Sequence, residues 1–359
     1  MGKKVFMKGT EAIAEAAVRA GCRFFAGYPI TPQNEIPEYF ARRMPEVGGV
    51  FVQGESETGS ANMLYGASAT GTRCMSSSAS IGISLYSEAI SACASARLPL
   101  VYVNVQRGGP GVGVIQPAQQ DYFQATKAQG NGGFRMMVWA PATVQEAVDM
   151  TYHAFDYAER DENPVLILTD GVIGTMMEAV NLPDMKSDEE IEALKQKFDH
   201  RAITGHPFEE INKCHSGGCG GLKTDDNMAA AAIYESWKDD VEVETDGLED
   251  AELVVTAYGI TSRIAKAAVH RLREDGFKVG LIRPKTVSPF PYDVYEQLDY
   301  SKVKGIVSAE MAIPAQFSYD VGYAVKERCK MRECLTSGGE LITSARIEQA
   351  VRELAKEVL

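Results

Sequence analysis

The sequence predicts an α/β fold built twice: a parallel sheet with helices on both faces, then a smaller unit of the same kind. Three observations carry this prediction. Apolar runs such as "LPLVYVNVQ" and "PVLILTDG" are continuous rather than alternating, as strands buried on both faces must be. Segments with the 3.6-residue helical period separate these runs. At 359 residues the chain also exceeds the usual size of one hydrophobic core.

Taken in order, Thr10 is expected to cap a helix whose Ile13, Ala16, Ala17 and Ala20 follow the i, i+3, i+4, i+7 spacing, and Gly21 suits its C-terminal stop. "CRFFAG" reads as a buried strand, and a helix follows around Glu35 to Met44. Next come the strand "GVFVQG", a small-residue helix over 57–70, the strand "TRCMSSSA" and a helix over 82–96. "LPLVYVNVQ", "FRMMVWAP", the helix "TVQEAVDMTYHAFDYAERD" and "PVLILTDG" complete a first unit assigned to residues 1–180.

From 181 to 250 the composition turns to charge, with "KSDEEIEALKQKFDH" and "DDVEVETDGLED" on either side of the glycine-rich "CHSGGCGG". This stretch is expected to be a linker or lid. The second unit, 251–359, runs through the strand "AELVVTAYG", the helix "TSRIAKAAVHRLREDG" and the strands "FKVGLIRPK" and "KGIVSAEM". Helices over 319–330 and 344–358 end it.

A net charge of -13 disfavours a sequence-independent nucleic-acid surface, which needs clustered Lys and Arg to displace counterions. No apolar run approaches the ~20 residues of a membrane span, so no membrane association is expected. The amino-terminal "MGKKVFMKGTEAIAEAA" meets Glu11 and Glu15 before any long apolar stretch, which argues against a secretory signal. Seven cysteines, odd in number and thinly spread, are the usage of a reducing compartment, and the cytoplasm is the expected location.

Four motifs could carry chemistry. In "GYPITPQNEIPEYF", Pro29 and Pro32 restrict the backbone around Thr31, so its hydroxyl and the neighbouring amides can be presented at little entropic cost. Glu55 and Glu57 follow the strand "GVFVQG". Ser56 can cap the next helix and leave Glu57 in its first turn, either complementing the helix dipole or held buried at an interface beside Gly59, Ser60, Ala61 and Gly66. There a carboxylate could share a proton with a heterocycle nitrogen.

"RGGPGVG", Arg107 to Gly113, lacks the lysine of a P-loop and the full G-x-G-x-x-G spacing, so it reads as an active-site loop or an irregular connection. Arg107 ends an apolar strand where doubly wound folds bind ligands and can fork onto a carboxylate or phosphate; it suits a structural ion pair equally well. The fourth group is the cysteines. Cys214/Cys219, with His215 between them, and Cys329/Cys334 lack the two-residue spacing of metal ligands, and the pairs lie far apart, the second in or just beyond a predicted helix. Neither metalloprotease nor G-x-S-x-G spacing occurs.

In this order, "GYPITP", "GESETGSANMLYGASATG" and "SASIGISLYSEAISACASARLPLVYVNVQRGGPG" resemble the alpha subunit of the 2-oxoacid:ferredoxin oxidoreductases, which are thiamine diphosphate enzymes. "QPAQQDYFQATKAQGNGGFRMMVWAPATVQEA" is most similar to the branched-chain, 2-oxoisovalerate type. The resemblance covers nearly the whole chain and weakens over the charged stretch. It implies a thiamin-diphosphate-binding fold of the pyrimidine type over 1–180. "LIRPKTVSPFP" and "VSAEMAIPAQFSYDV" resemble the family's transketolase C-terminal-like domain.

The resemblance further implies that Tyr28, Pro29, Ile30 and Thr31 line the cofactor, with Thr31 also touching substrate. Glu57 would hydrogen-bond the aminopyrimidine N1′ and favour the tautomer that deprotonates the thiazolium. Arg107 would bind the 2-oxoacid carboxylate, while Glu55 has weaker support. The family's Gly-Asp-Gly motif for diphosphate and Mg2+ is absent; "LTDGVIG", Leu168 to Gly174, comes near it but has Thr169 where glycine is needed.

A beta subunit is therefore implied to carry the diphosphate-binding motif and Mg2+. Gamma and ferredoxin-like delta subunits, [4Fe-4S] clusters on partner subunits, CoA as co-substrate and ferredoxin as electron acceptor complete the implied complex. Its reaction would be oxidative decarboxylation of a branched-chain 2-oxoacid. 2-Oxoglutarate, pyruvate and aryl 2-oxoacids stay open as substrates, as does a non-catalytic scaffold role, against which the presence of Thr31, Glu57 and Arg107 argues.

Overall fold

The computed structural model describes residues 4–127, 129–199, 202–205, 207 and 223–359. The chain enters through strand β1 (Val5–Lys8) and lays down β2 (Phe24–Gly27), β3 (Val50–Gln53), β4 (Cys74–Ser78), β5 (Leu100–Gln106), β6 (Met137–Trp139) and β7 (Pro164–Asp170). These last six stand side by side as β6-β7-β5-β4-β2-β3, every neighbouring pair parallel. A short return strand, β8 (Met177–Val180), pairs antiparallel with β1.

The continuous apolar runs are the central strands: β4, β5 and β7 are buried along their whole lengths. Alternate side chains serve opposite faces because a strand's side chains have a period of two. Val101, Val103, Val165 and Ile167 pack with Ile13, Val18, Ala147 and Ala154, from the helices Gly9–Arg19 and Val144–Asp161. Leu100, Tyr102, Leu166 and Leu168 pack with Leu64, Ile83 and Ile90, from Glu57–Ala69 and Ile81–Ser95. Each such Val, Leu or Ile contributes roughly 1.5–3 kcal/mol by leaving water.

The second sheet contains β9 (Val243–Asp246), β10 (Leu253–Thr256), β11 (Val279–Pro284), β13 (Gly305–Glu310) and β14 (Lys330–Leu335), in the order β14-β13-β10-β11-β9. All pairs are parallel except β9 with β11. Strand β12 (Thr286–Ser288) leaves this unit and pairs antiparallel with β6. It thereby covers the polar edge of the first sheet, which would otherwise be open to foreign strands.

Two expectations differ from the structure. Thr10 does not cap the first helix, which begins at Gly9; its hydroxyl donates to the Gly174 carbonyl at 3.1 Å instead. The reason lies in packing: a Cβ on Gly9 would stand 1.9 Å from the Ile173 carbonyl oxygen, so this helix start is pressed against the turn after β7. The helix expected over 319–330 spans Phe317–Val325, and Cys334 sits on β14 because pairing with β13 overrides local helical pattern. The charged stretch 181–250 carries the helices Asp188–Lys197 and Lys223–Ser236 and contributes β9 to the second sheet. Cys214, His215 and Cys219, with "CHSGGCGG", lie outside the described residues.

The two units are clamped by the segment that follows the glycine-rich loop. Gln119, fully buried, donates from Nε2 to the Tyr258 carbonyl at 3.0 Å, and its Oε1 accepts from the Thr261 hydroxyl at 2.6 Å and the Met311 amide at 3.1 Å. Three residues on, the Tyr122 hydroxyl donates to Asp320 at 2.5 Å. The return path of the loop that begins at Arg107 is thus set by both cores.

Candidate active site

Parallel strands end on one side of a sheet, so the loops after β2, β3, β4 and β5 share one rim, where open α/β sheets bind ligands. Those loops carry Thr31, Glu57, the serine-rich turn Ser78–Gly82 and Arg107.

Glu57 opens its helix, and the Ser56 hydroxyl caps it by accepting the Gly59 amide at 3.0 Å. Glu57 is 7% exposed, whereas Glu55 is exposed to solvent. The two carboxylates therefore part company two residues apart. A Cβ on Gly82 would meet Ser78 Oγ at 2.0 Å and Glu57 Oε1 at 2.9 Å, so carboxylate, hydroxyl and glycine are in close contact. Ser78 Oγ is buried without a partner, and among the described residues no group donates a hydrogen bond to the Glu57 carboxylate. Gly82→Ala is accordingly expected to lower stability by about 1–3 kcal/mol in urea unfolding. An unchanged midpoint would mean that Ser78 and Glu57 yield freely.

The loop after β2 is tied from beneath by Gln33, fully buried, whose Nε2 donates to the Tyr28 carbonyl at 3.2 Å while Ser77 Oγ donates to its Oε1 at 2.5 Å. Above it Tyr28 and Ile30 are half-buried, and Pro29 and Thr31 are exposed. Arg107 reaches this loop: Nη1 donates to the Thr31 carbonyl at 3.0 Å and Nη2 to the Val112 carbonyl at 2.9 Å. Its Nε–H is buried with no partner. The guanidinium joins the proline-flanked loop to the glycine-rich one, with no carboxylate partner among the described residues.

Between Glu57 and Arg107 stands Ser80, with φ 33° and ψ −86°, a conformation that side chains rarely adopt. Sequence reasoning missed it, together with Ser78, Gly82 and Gln33. The run "SSSASIG" at a strand end was the available signal, since small residues there permit close approach of backbone to a ligand.

Asp170, in "LTDGVIG", turns to its own backbone: Oδ1 accepts the Val172 and Ile173 amides at 2.8 and 3.2 Å and caps the short helix Gly171–Thr175. Burial pushes its pKa up to about 6, against the pull of those amides and that of Ile260. A folded pKa raised above the unfolded one stabilises fully below the unfolded value and is lost as pH rises through about 6. About two units correspond to about 3 kcal/mol. Urea unfolding from pH 7 to pH 4 is expected to show this gain in wild type and to lose it in Asp170→Asn; identical slopes in both would disprove it.

Among the described residues no group of three or more His, Cys, Asp and Glu is placed to hold a metal ion. Cys22, Cys74, Cys93, Cys329 and Cys334 are free thiols, and burial raises Cys329 and Cys334 to about 11. No described helix is long and apolar enough to cross a membrane.

A buried carboxylate with no donor, beside an unpartnered hydroxyl and a glycine that admits no side chain, fits a planar heterocycle able to donate a hydrogen bond. The rim lies at the carboxyl ends of a parallel sheet, where α/β enzymes of this class bind ligands. The chain belongs to the ferredoxin-dependent 2-oxoacid oxidoreductase family: the model for the thiamine diphosphate-binding region of pyruvate flavodoxin/ferredoxin oxidoreductase matches residues 15–253, and that for pyruvate:ferredoxin oxidoreductase core domain II matches 251–347.

Ketoisovalerate oxidoreductase subunit VorB of Methanothermobacter thermautotrophicus is 38% identical, with 97% of both chains covered. 2-Oxoglutarate synthase subunit KorA of Methanocaldococcus jannaschii is 37% identical, covering 97% of this chain and 99% of that one. Among solved structures, 2-oxoglutarate:ferredoxin oxidoreductase from Magnetococcus marinus, with 2-oxoglutarate, coenzyme A and succinyl-CoA bound, superposes with a TM-score of 0.83 at 25% identity. That match covers 98% of this chain, which spans 65% of the other's length. A split-gene transketolase, at 15% identity and a TM-score of 0.59, shares the fold.

Proposed function

We propose that this chain supplies one half of the active site of a CoA-dependent, ferredoxin-reducing oxidoreductase that decarboxylates branched-chain 2-oxoacids such as 2-oxoisovalerate. The observation that carries it is the buried, donor-less Glu57 carboxylate on the rim that also bears Thr31 and Arg107. Residues 1–180 form its pyrimidine-binding unit, 181–250 a charged connection and 251–359 a transketolase C-terminal-like unit.

Thiamine diphosphate, when bound, supplies the carbon nucleophile for the 2-oxo carbon and the electron sink for loss of CO2. Glu57 would accept a hydrogen bond from the pyrimidine ring nitrogen and hold the proton there, beside the Ser78–Gly82 turn. Tyr28, Pro29 and Ile30 form the stiff wall of the cofactor loop, and the Thr31 hydroxyl meets cofactor and substrate. Arg107, with its plane fixed by two carbonyls, offers its remaining N–H groups to the substrate carboxylate.

The chain carries no Gly-Asp-Gly motif. A beta subunit therefore brings the diphosphate-binding motif and Mg2+ to this rim. Gamma and ferredoxin-like delta subunits, [4Fe-4S] clusters on partners and ferredoxin take the electrons, and CoA takes the acyl group, in the cytoplasm. The 38% identity to a ketoisovalerate oxidoreductase subunit favours a branched-chain substrate. A second reading, the same chemistry on 2-oxoglutarate, is favoured by the 37% identity to a 2-oxoglutarate synthase subunit.

The test is anaerobic reduction of a viologen dye by the assembled complex with thiamine diphosphate, Mg2+, CoA and a panel of 2-oxoacids. Fastest turnover is expected with 2-oxoisovalerate. A preference for 2-oxoglutarate would change the substrate, and absence of CoA-dependent reduction with every 2-oxoacid would refute the proposal.

A further inference from the structure

Two of the predicted catalytic groups, Glu57 and Arg107, lean on one turn, and that turn is held by residues the reaction scheme leaves unused. Ser80 ends the β4 loop in left-handed backbone, φ 33°. A non-glycine residue persists there only where its surroundings over-determine it. Its amide donates to Asn104 Oδ1 at 3.0 Å, and its hydroxyl donates to Asp121 Oδ2 at 2.6 Å while accepting the Arg107 amide at 3.0 Å. Asn104 Nδ2 completes the triangle by donating to the same Asp121 oxygen at 3.0 Å. Asn104 is wholly buried and Ser80 nearly so.

We propose that Asp121 is a positioning residue of the active site, acting through the Ser80 hydroxyl on the Arg107 backbone and, two residues beyond Ser80, on the Gly82 contact with Glu57. The carboxylate touches neither rim group by its own hydrogen bonds. Its effect runs through Ser80, which ties the end of β4 to the end of β5. A carboxylate suits the role because one oxygen accepts from both Ser80 and Asn104 and its charge strengthens both bonds, which a neutral amide oxygen in the same place would accept more weakly. Burial pushes the Asp121 carboxyl up from its ordinary range, against the pull of Ser80, Asn104 and Arg107, the groups that face it. Gln106, whose Oε1 accepts the Asp121 amide at 3.4 Å, fixes the carboxylate's own backbone.

The inference rests on the reading of Glu57 and Arg107 given above, and its test separates the two. In the assembled complex, Asp121→Ala is expected to raise the KM for 2-oxoacid about tenfold, with a smaller change in kcat, and to weaken thiamine diphosphate binding in isothermal titration by about the same factor. Ser80→Gly, which adopts the turn freely but lacks the hydroxyl, is expected to lose as much. Asp121→Asn, whose amide oxygen can accept both bonds without the charge, is expected to recover part of both losses with no matching change in unfolding temperature.

Asp121→Ala or Ser80→Gly within about twofold of wild type in both readouts would overturn the proposal, since hydrogen bonds to a buried carboxylate are worth more than that. So would losses in Asp121→Ala that track a fall in unfolding temperature and are not lessened in Asp121→Asn. If Glu57→Gln leaves cofactor affinity intact, the reading beneath fails; if Glu57→Gln weakens binding and Asp121→Ala does not, only this inference falls.

Discussion

Glu57→Gln is expected to reduce turnover of the assembled complex by about 10²–10⁴-fold while leaving its folding intact, because general acid–base contributions are of that size. Glutamine keeps the shape of the side chain and can still accept a hydrogen bond, but it cannot hold the proton. No protein group donates to this carboxylate among the described residues, so the change strands no partner. It also removes a charge buried at 7% exposure, so thermal stability should hold or rise. Viologen reduction and thermal unfolding of wild type and variant check both halves. Turnover within about threefold of wild type would mean that the proton is held elsewhere, since even a modest acid–base role is worth more.

Arg107→Ala carries the second large effect and a more complex one. The KM for 2-oxoacid is expected to rise about a hundredfold, the scale on which a lost charge-assisted fork weakens binding. The carbonyls of Thr31 and Val112 lose their donors at the same time, so the two loops are released from one another. Arg107→Lys separates these roles: it restores charge but not the planar fork, so KM should stay high. A variant whose unfolding temperature falls while its KM is unchanged would show Arg107 to be a loop clamp and nothing more.

The pair Glu55 and Glu57 illustrates how far residue order reaches. Their separation by Ser56, a helix cap, suffices to predict that Glu57 enters the first helical turn, and it does. Its burial depends on Gly82, from a different strand loop, leaving no side chain in the way. Similarly, Pro29 and Pro32 announce a stiff loop, whereas the two groups that hold it, Gln33 from within and Arg107 from 76 residues away, become visible only in the folded chain. Thr10 looks like a helix cap by residue type but spends its hydroxyl on Gly174, because the helix start is pressed against the turn after β7.

Local periodicity accounts for the buried central strands and their covering helices, because continuous apolar runs suit only strands covered on both faces and the amphipathic helices supply the covers. The ordered motifs likewise point to the family without coordinates. Three features follow from long-range packing instead: β9 inside the charged stretch, β12 added to the edge of the first sheet, and the Ser80–Asn104–Asp121 triangle. The reason is that hydrogen-bond partners tens of residues apart are chosen by which strands lie adjacent in a sheet, and adjacency is a property of the whole core rather than of any window of sequence.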